Sequence, residues 1–203
     1  MKKKVLEIIA LLKNRYPEAL CALQYEKDYE LLFAVRLSAQ CTDERVNKVA
    51  PVLFERFPSL ESIAGADLGE VEDIIHSCGF FRAKAKDIVL AANMLIEKYG
   101  GKVPSTMEEL ITLPGVGRKT ANLILGDIFN APGSVVVDTH CIRLANRMGL
   151  AVGKDPYKVE MQLAELIPPE KQSDFCHRIV QFGRDTCTAR SPKCDECPLC
   201  DIC

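Results

Sequence analysis

Apolar residues recur along most of this chain at three- and four-residue spacing, the period of helices that bury one face. Val5, Ile8, Ile9 and Leu12 form the first such stripe. Residues 29–39 carry Leu31, Leu32, Val35 and Leu37 among few polar neighbours, so this helix is expected to be buried. Residues 43–57 turn Val46, Val49, Val52, Leu53 and Phe57 inward, and residues 83–99 do the same with Ile88, Val89, Ala92, Leu95 and Ile96. The run Ser105-Thr-Met-Glu108 reads as a capping box, opening a short helix that ends near Leu113-Pro114. Further helices are expected over 118–129, over 139–148 behind an Asp138-Thr139 cap, and over 156–166 and 173–185. The β-branched run 134–137 offers one extended stretch, and strand alternation is otherwise absent. The predicted fold class is therefore all-α, with a linker at 130–133 and a cysteine-anchored C-terminal lobe after it.

Composition adds limits. Hydrophobic residues make up 48% of 203, enough for a packed core rather than a disordered tail. The basic, apolar N-terminus fails as a signal peptide, because Glu7 and Lys13 break the apolar run and no small-residue cleavage site follows. No stretch is long enough to span a bilayer, so a cytoplasmic protein without a membrane partner is expected. The net charge of −2 counts against a nucleic-acid partner. It does not exclude one, since phosphate affinity depends on local cations and backbone amides.

The ten cysteines are unevenly placed. Cys21, Cys41, Cys78, Cys141 and Cys176 are scattered and expected to be buried, reduced thiols, while five crowd the last seventeen positions. Cys187, Cys194, Cys197 and Cys203 are spaced so that four thiolates can enclose one metal centre. A Cys₄ zinc site is the alternative. Zinc sites more often use two distant knuckles and recruit His, and no His lies among these cysteines, so spacing favours iron–sulfur. Cys200 is a spare thiol that spacing alone does not exclude from the ligands. Arg190 and Lys193 give the loop 188–193 positive charge, either as a solvated loop or as a finger that touches phosphate.

Between two predicted helices stands Leu113-Pro-Gly-Val-Gly-Arg-Lys-Thr-Ala121. Gly115 and Gly117 permit backbone angles closed to other residues, so the turn can aim several amides at one anion at the start of the next helix. It is not a Walker loop, because Arg118 rather than Lys follows Gly117. An ordinary helix–turn–helix corner is the bland alternative. Lys119 lies in the first turn of that helix, facing the positive end of the dipole with Arg118 beside it; both effects favour a neutral amine, the form a nucleophile needs. It reads equally as a surface lysine on phosphate. Asp138 reads first as a helix N-cap, and second as a carboxylate able to accept a proton or steady positive charge on a sugar.

The hairpin, Val137-Asp-Thr-His140, Leu37-Ser-Ala-Gln40 and the four spaced cysteines, in this order, resemble the endonuclease III family of helix–hairpin–helix DNA glycosylases over essentially the whole chain. The resemblance implies a six-helix barrel over 21–131 and an iron–sulfur lobe built from 1–20 and 132–203, with DNA in the cleft between them. It implies a monomeric, nucleoid-associated enzyme that excises oxidised pyrimidines from double-stranded DNA and cleaves abasic sites by β-elimination. Lys119 matches the catalytic lysine and Asp138 the catalytic aspartate. Cys187, Cys194, Cys197 and Cys203 match the ligands of a [4Fe–4S] cluster. Gln40 and Phe80 match positions that fill the gap left by a flipped nucleotide, although the family often has Leu in the second. The hairpin residues Gly115, Val116, Gly117, Arg118 and Thr120, with His140, Arg190 and Lys193, match DNA contacts. The chain stops at its last ligand, so an exposed cluster edge is expected. A monofunctional mismatch glycosylase of the same fold would lack Lys119, and a non-catalytic module would bind DNA without cutting it.

Overall fold

The structure, a computed structural model, describes residues 1–203. It contains eleven α-helices and no strand. The chain divides into two compact units, one formed by Ala22–Ile124 and the other by Met1–Cys21 with Leu125–Cys203. The division falls inside a helix, and the linker expected at 130–133 lies within the second unit.

In the unit Ala22–Ile124, α2 (Asp28–Ser38) buries seven of its eleven residues, which is why its sequence shows so little polar patterning. The Glu30 carboxylate accepts the amides of Glu26 and Lys27 and closes its N-terminus. Helix α3 (Asp43–Arg56), capped by the Thr42 hydroxyl, buries Val46, Val49, Ala50 and Leu53. Val52, expected inward, is half exposed, since it lies on the flank of that stripe. Two helices not expected from the sequence follow: α4 (Leu60–Ala64) behind the Ser59 cap and α5 (Leu68–Ile75) behind the Asp67 cap. Both are too short to show a helical period. They pack on α6 (Phe81–Tyr99), whose buried face includes Ala85, Ile88, Ala92, Leu95 and a lysine, Lys84. Val89 and Ile96, expected inward, are half-buried. Helix α7 (Met107–Leu110) is capped by Thr106, whose hydroxyl accepts the Glu109 amide and donates to its carboxylate at 2.8 Å. The cap is thus Thr106 with Glu109, one residue beyond the pair expected, and it is a side-chain cap rather than a full capping box. Helix α8 (Arg118–Asp127) follows the glycine turn.

In the other unit, α1 (Lys2–Arg15) buries Val5, Ile8, Ile9 and Leu12 and packs on α11 (Gln172–Asp185), which offers Phe175, Ile179 and Phe182. The Arg178 guanidinium, itself buried, donates to the carbonyls of Tyr16 and Pro17 and fixes the end of α1. Residues 134–137 are buried and belong to no helix or strand. Helix α9 (Thr139–Arg147) packs between α11 and α10 (Pro156–Leu166), and short 3₁₀ turns and loops complete the chain. No helix is long and apolar enough to cross a membrane.

Candidate active site and cysteine centre

The glycine turn is built by two residues in different ways. Gly115 has φ +74°, in the left-handed region, and a Cβ there would stand 2.6 Å from Arg36 Nε and 2.8 Å from Asp87 Oδ2. Only glycine satisfies both demands. Arg36 and Asp87 form an ion pair, with Nε and Nη2 each 2.7 Å from Oδ2, and this pair is the floor on which the turn rests. Gly117 differs from expectation. Its backbone is not left-handed, and a Cβ there would meet nothing within 4 Å. Its bare side therefore faces open space. The Val116 amide donates to Leu113 O at 3.1 Å, and the Gly117 carbonyl accepts the Ala121 amide, the first bond of α8. Arg118 and Lys119 are exposed and Thr120 is half-buried.

Asp138 is an N-cap, as the plainer reading had it. Its Oδ1 accepts the Cys141 amide at 2.7 Å at the head of α9. A carboxylate has a second oxygen, so capping leaves Oδ2 for other chemistry. His140, half-buried, lies against Gly183 of α11, where a Cβ would stand 2.6 Å from Nδ1. Gln40 and Phe80, the two candidate wedge residues, are both exposed and both left-handed, with φ 54° and 48°. Such angles are costly for side chains of this size and persist where the surroundings impose them.

At the C-terminus, a hollow of about 140 Å³ is lined by Cys187, Cys194, Cys197, Cys200 and Cys203 over an apolar floor that includes Phe182 and Leu199. Burial pushes the Cys197 thiol above its ordinary range, while the Leu199 amide, 3.4 Å from Sγ, pulls it back. The thiols of Cys187, Cys203 and Cys194 push it up further, so these three are its electrostatic neighbours. Cys200 instead turns its Sγ to Asp201 Oδ1 at 3.6 Å. No three thiols close on one point as the ligands of a single ion do. Four sulfurs on one zinc would stand about 3.8 Å apart, given a Zn–S bond of about 2.3 Å. The apolar hollow of about 140 Å³ lined by these thiols fits a multi-atom iron–sulfur core. Cys194, Cys200 and Cys203 are exposed, and Cys187 and Cys197 are half-buried. Of the five scattered cysteines, Cys78, Cys141 and Cys176 are buried, but Cys21 and Cys41 are only half-buried, a correction to the expectation of five buried thiols.

Two arginines essential to this architecture were missed in the sequence. Arg143 donates to the carbonyls of Gly183 and Cys187 at 3.0 and 2.9 Å. Arg147, one turn on, donates to Thr188 O and Ala189 O at 2.7 and 2.8 Å and reaches Cys187 Sγ at 3.3 Å. Together they fasten the first cysteine and the loop that bears the exposed Arg190 and Lys193. Their four-residue spacing on α9 was the available signal, but it reads as a solvated face until the carbonyls are placed.

The model of the HhH-GPD superfamily of base excision DNA repair proteins matches residues 33–169, and that of the iron–sulfur binding domain of endonuclease III matches residues 187–203. The endonuclease III of Synechocystis is 48% identical over 202 residues, covering 100% of this chain and 92% of that protein. The chain belongs to the endonuclease III family. The endonuclease III of Escherichia coli K12 is 38% identical, covering 100% of this chain and 95% of that protein. A solved structure of a trapped covalent intermediate between an endonuclease III and DNA superposes with a TM-score of 0.94 at 41% identity, covering 100% of this chain and 95% of that one. As a member of this family the chain is a base-excision DNA glycosylase with abasic-site lyase activity, and its cofactor is a [4Fe–4S] cluster.

Proposed function

We propose that this endonuclease III removes oxidised or ring-saturated pyrimidines from double-stranded DNA and then cleaves the strand, with Lys119 as nucleophile. The observation that carries this reading is an exposed lysine in the first turn of α8, two residues beyond a glycine whose bare side faces open space. A phosphate can approach Gly117 without meeting a side chain, and the amides and positive end of α8 would hold it. Backbone contact of this kind positions DNA without reading its sequence.

The damaged nucleotide leaves the stack, and Gln40 and Phe80 fill the vacancy. The neutral Lys119 amine attacks C1′, the glycosidic bond breaks, and the base departs with a proton. The resulting imine acidifies the C2′ hydrogen, and elimination expels the 3′ phosphate. Asp138 accepts or relays the protons and offsets positive charge on the sugar. Arg118, Thr120 and Val116 of the hairpin, with His140, Arg190 and Lys193, hold the duplex. Cys187, Cys194, Cys197 and Cys203 would hold the cluster at the foot of the loop that carries Arg190 and Lys193; this reading is supported by the Cys187, Cys203 and Cys194 thiols that neighbour Cys197. We assign the helical barrel to about 21–131 and the cluster lobe to 1–20 with 132–203. The enzyme works as a monomer in the cytoplasm, on the nucleoid.

Nicking of an abasic duplex and excision from a panel of damaged pyrimidines test this together. The wild-type protein should do both, and Lys119→Gln should bind the duplex yet leave it intact. Wild-type protein that shifts the duplex without nicking it would reduce the chain to a binding module.

A further inference from the structure

Two turns of the unit Ala22–Ile124 meet around one buried lysine. The first ends α2. The Cys41 amide, which would bond Leu37 O if the helix ran on, closes on Ser38 O at 3.0 Å, and Gln40 between them is left-handed. The second is the 3₁₀ turn His76–Cys78, after which Gly79 and Phe80 both have positive φ. Helix α6 packs on α2 and on this turn, and Lys84 lies in its first turn. The Lys84 amide donates to Phe80 O at 3.1 Å, while its Nζ donates to Leu37 O and to Cys78 O, both at 2.8 Å. Carbonyls at the end of a helix lack a partner within it, and a cation there also meets the negative end of the dipole. The lysine has no exposed surface.

We propose that Lys84 is a positioning residue for base excision: its ammonium fastens the turn that carries Gln40 to the turn that carries Phe80, so that both side chains stand ready at the vacancy of a flipped nucleotide. This rests on the wedge reading of those two residues. Being fully buried, Lys84 touches neither phosphate nor base and acts only through the turns. Its two acceptors lie just upstream of the wedges, Leu37 before Gln40 and Cys78 before Phe80. Left-handed backbone at side chains of this size persists only where the surroundings impose it, and one ammonium bonded to both turns imposes it on both sides at once. Packing alone does not explain a lysine here. An apolar side chain would fill the space without burying a charge, but it would not join the two carbonyls. Without those bonds the wedges lose their fixed spacing and the excision step slows, whereas the hairpin's hold on the duplex is untouched.

The test is single-turnover excision of a ring-saturated pyrimidine from duplex DNA by the cluster-loaded protein. Lys84→Met, similar in length and uncharged, should slow excision by about tenfold to a hundredfold, with affinity for undamaged duplex unchanged. Lys84→Gln keeps an amide donor and should fall between Met and wild type; it also serves should two bare carbonyls unfold the Met variant. The same substitutions are then made in a Gln40→Ala, Phe80→Ala background. A residue that acts through the wedges costs nothing further there, whereas a general contribution to folding costs the same factor in both backgrounds. Slow excision by the Gln40→Ala, Phe80→Ala protein, with an equal Lys84 factor in both backgrounds or none in either, would overturn the proposal and leave the wedge reading standing. Wild-type excision by the Gln40→Ala, Phe80→Ala protein would remove the wedge reading, and the assignment of Lys84 with it.

Discussion

Replacing Gly115 by Ala is the sharpest probe of how the hairpin is held. The methyl group would force a left-handed alanine, which costs about 1–2 kcal/mol. It would also stand 2.6 and 2.7 Å from Arg36 Nε and Cδ and 2.8 Å from Asp87 Oδ2, so both side chains must shift and the ion pair is strained, at the limit parted. That pair is only partly buried, with side-chain exposures of 19% and 25%, so its loss adds about 1–2 kcal/mol rather than the larger cost of a buried pair. The sum is about 2–4 kcal/mol, below the total stability of an ordinary domain, so the protein should still fold. With a urea slope of about 2 kcal/mol per M, the unfolding midpoint should drop by about 1–2 M with the slope unchanged. Gly117→Ala is the control. It meets nothing, so stability should stay within about 0.5 kcal/mol while affinity for abasic duplex falls, the methyl now occupying the space left for phosphate. In an Arg36→Ala, Asp87→Ala background the Gly115→Ala cost should shrink to the backbone part of about 1–2 kcal/mol. Equal midpoints for the two glycine variants, or no coupling to Arg36 and Asp87, would refute the argument.

Three further outcomes follow from named contacts. Asp138→Ala should lose the cap at the head of α9, about 0.5–2 kcal/mol, whereas Asp138→Asn keeps a capping oxygen and should lose excision with little stability; equal stability losses would show that the cap is not what Asp138 contributes to the fold. Arg147→Ala removes the bonds to Thr188 O, Ala189 O and Cys187 Sγ, so the cluster's visible absorbance should bleach faster in air and the salt dependence of DNA binding should flatten. Burial, then the hydrogen bond to Asp185, raises the Tyr16 phenol from 10.0 to about 12. The folded chain keeps that proton longer than the unfolded one, so its stabilisation is complete below pH 10 and is lost as pH rises through about 12; Tyr16→Phe should abolish this alkaline loss in titrations followed by circular dichroism.

The long helices were legible because each buries one stripe: α10 and α11 fall within a residue of the ranges expected, 156–166 and 173–185, and α1 buries the stripe Val5, Ile8, Ile9 and Leu12. Helices α4 and α5 escaped because five and eight residues hold no period, and their caps, Ser59 and Asp67, look like any loop polar residue. The candidate site was legible where a residue type is constrained by chemistry, as with Gly115 or the spaced cysteines. It was not legible where the role belongs to distant carbonyls. Lys84 reads as a surface charge on a helix until Leu37 O and Cys78 O close around it. Burial pulls its ammonium below the usual lysine range, a cost the sequence does not announce. Arg143 and Arg147 were hidden for the same reason.

The most direct test of the catalytic account is peptide mapping of the adduct formed when borohydride reduces the enzyme on abasic duplex. The account predicts one modified residue, Lys119, in wild type and no adduct with Lys119→Gln. Attachment to a different side chain, or strand cleavage that persists without any adduct, would contradict it.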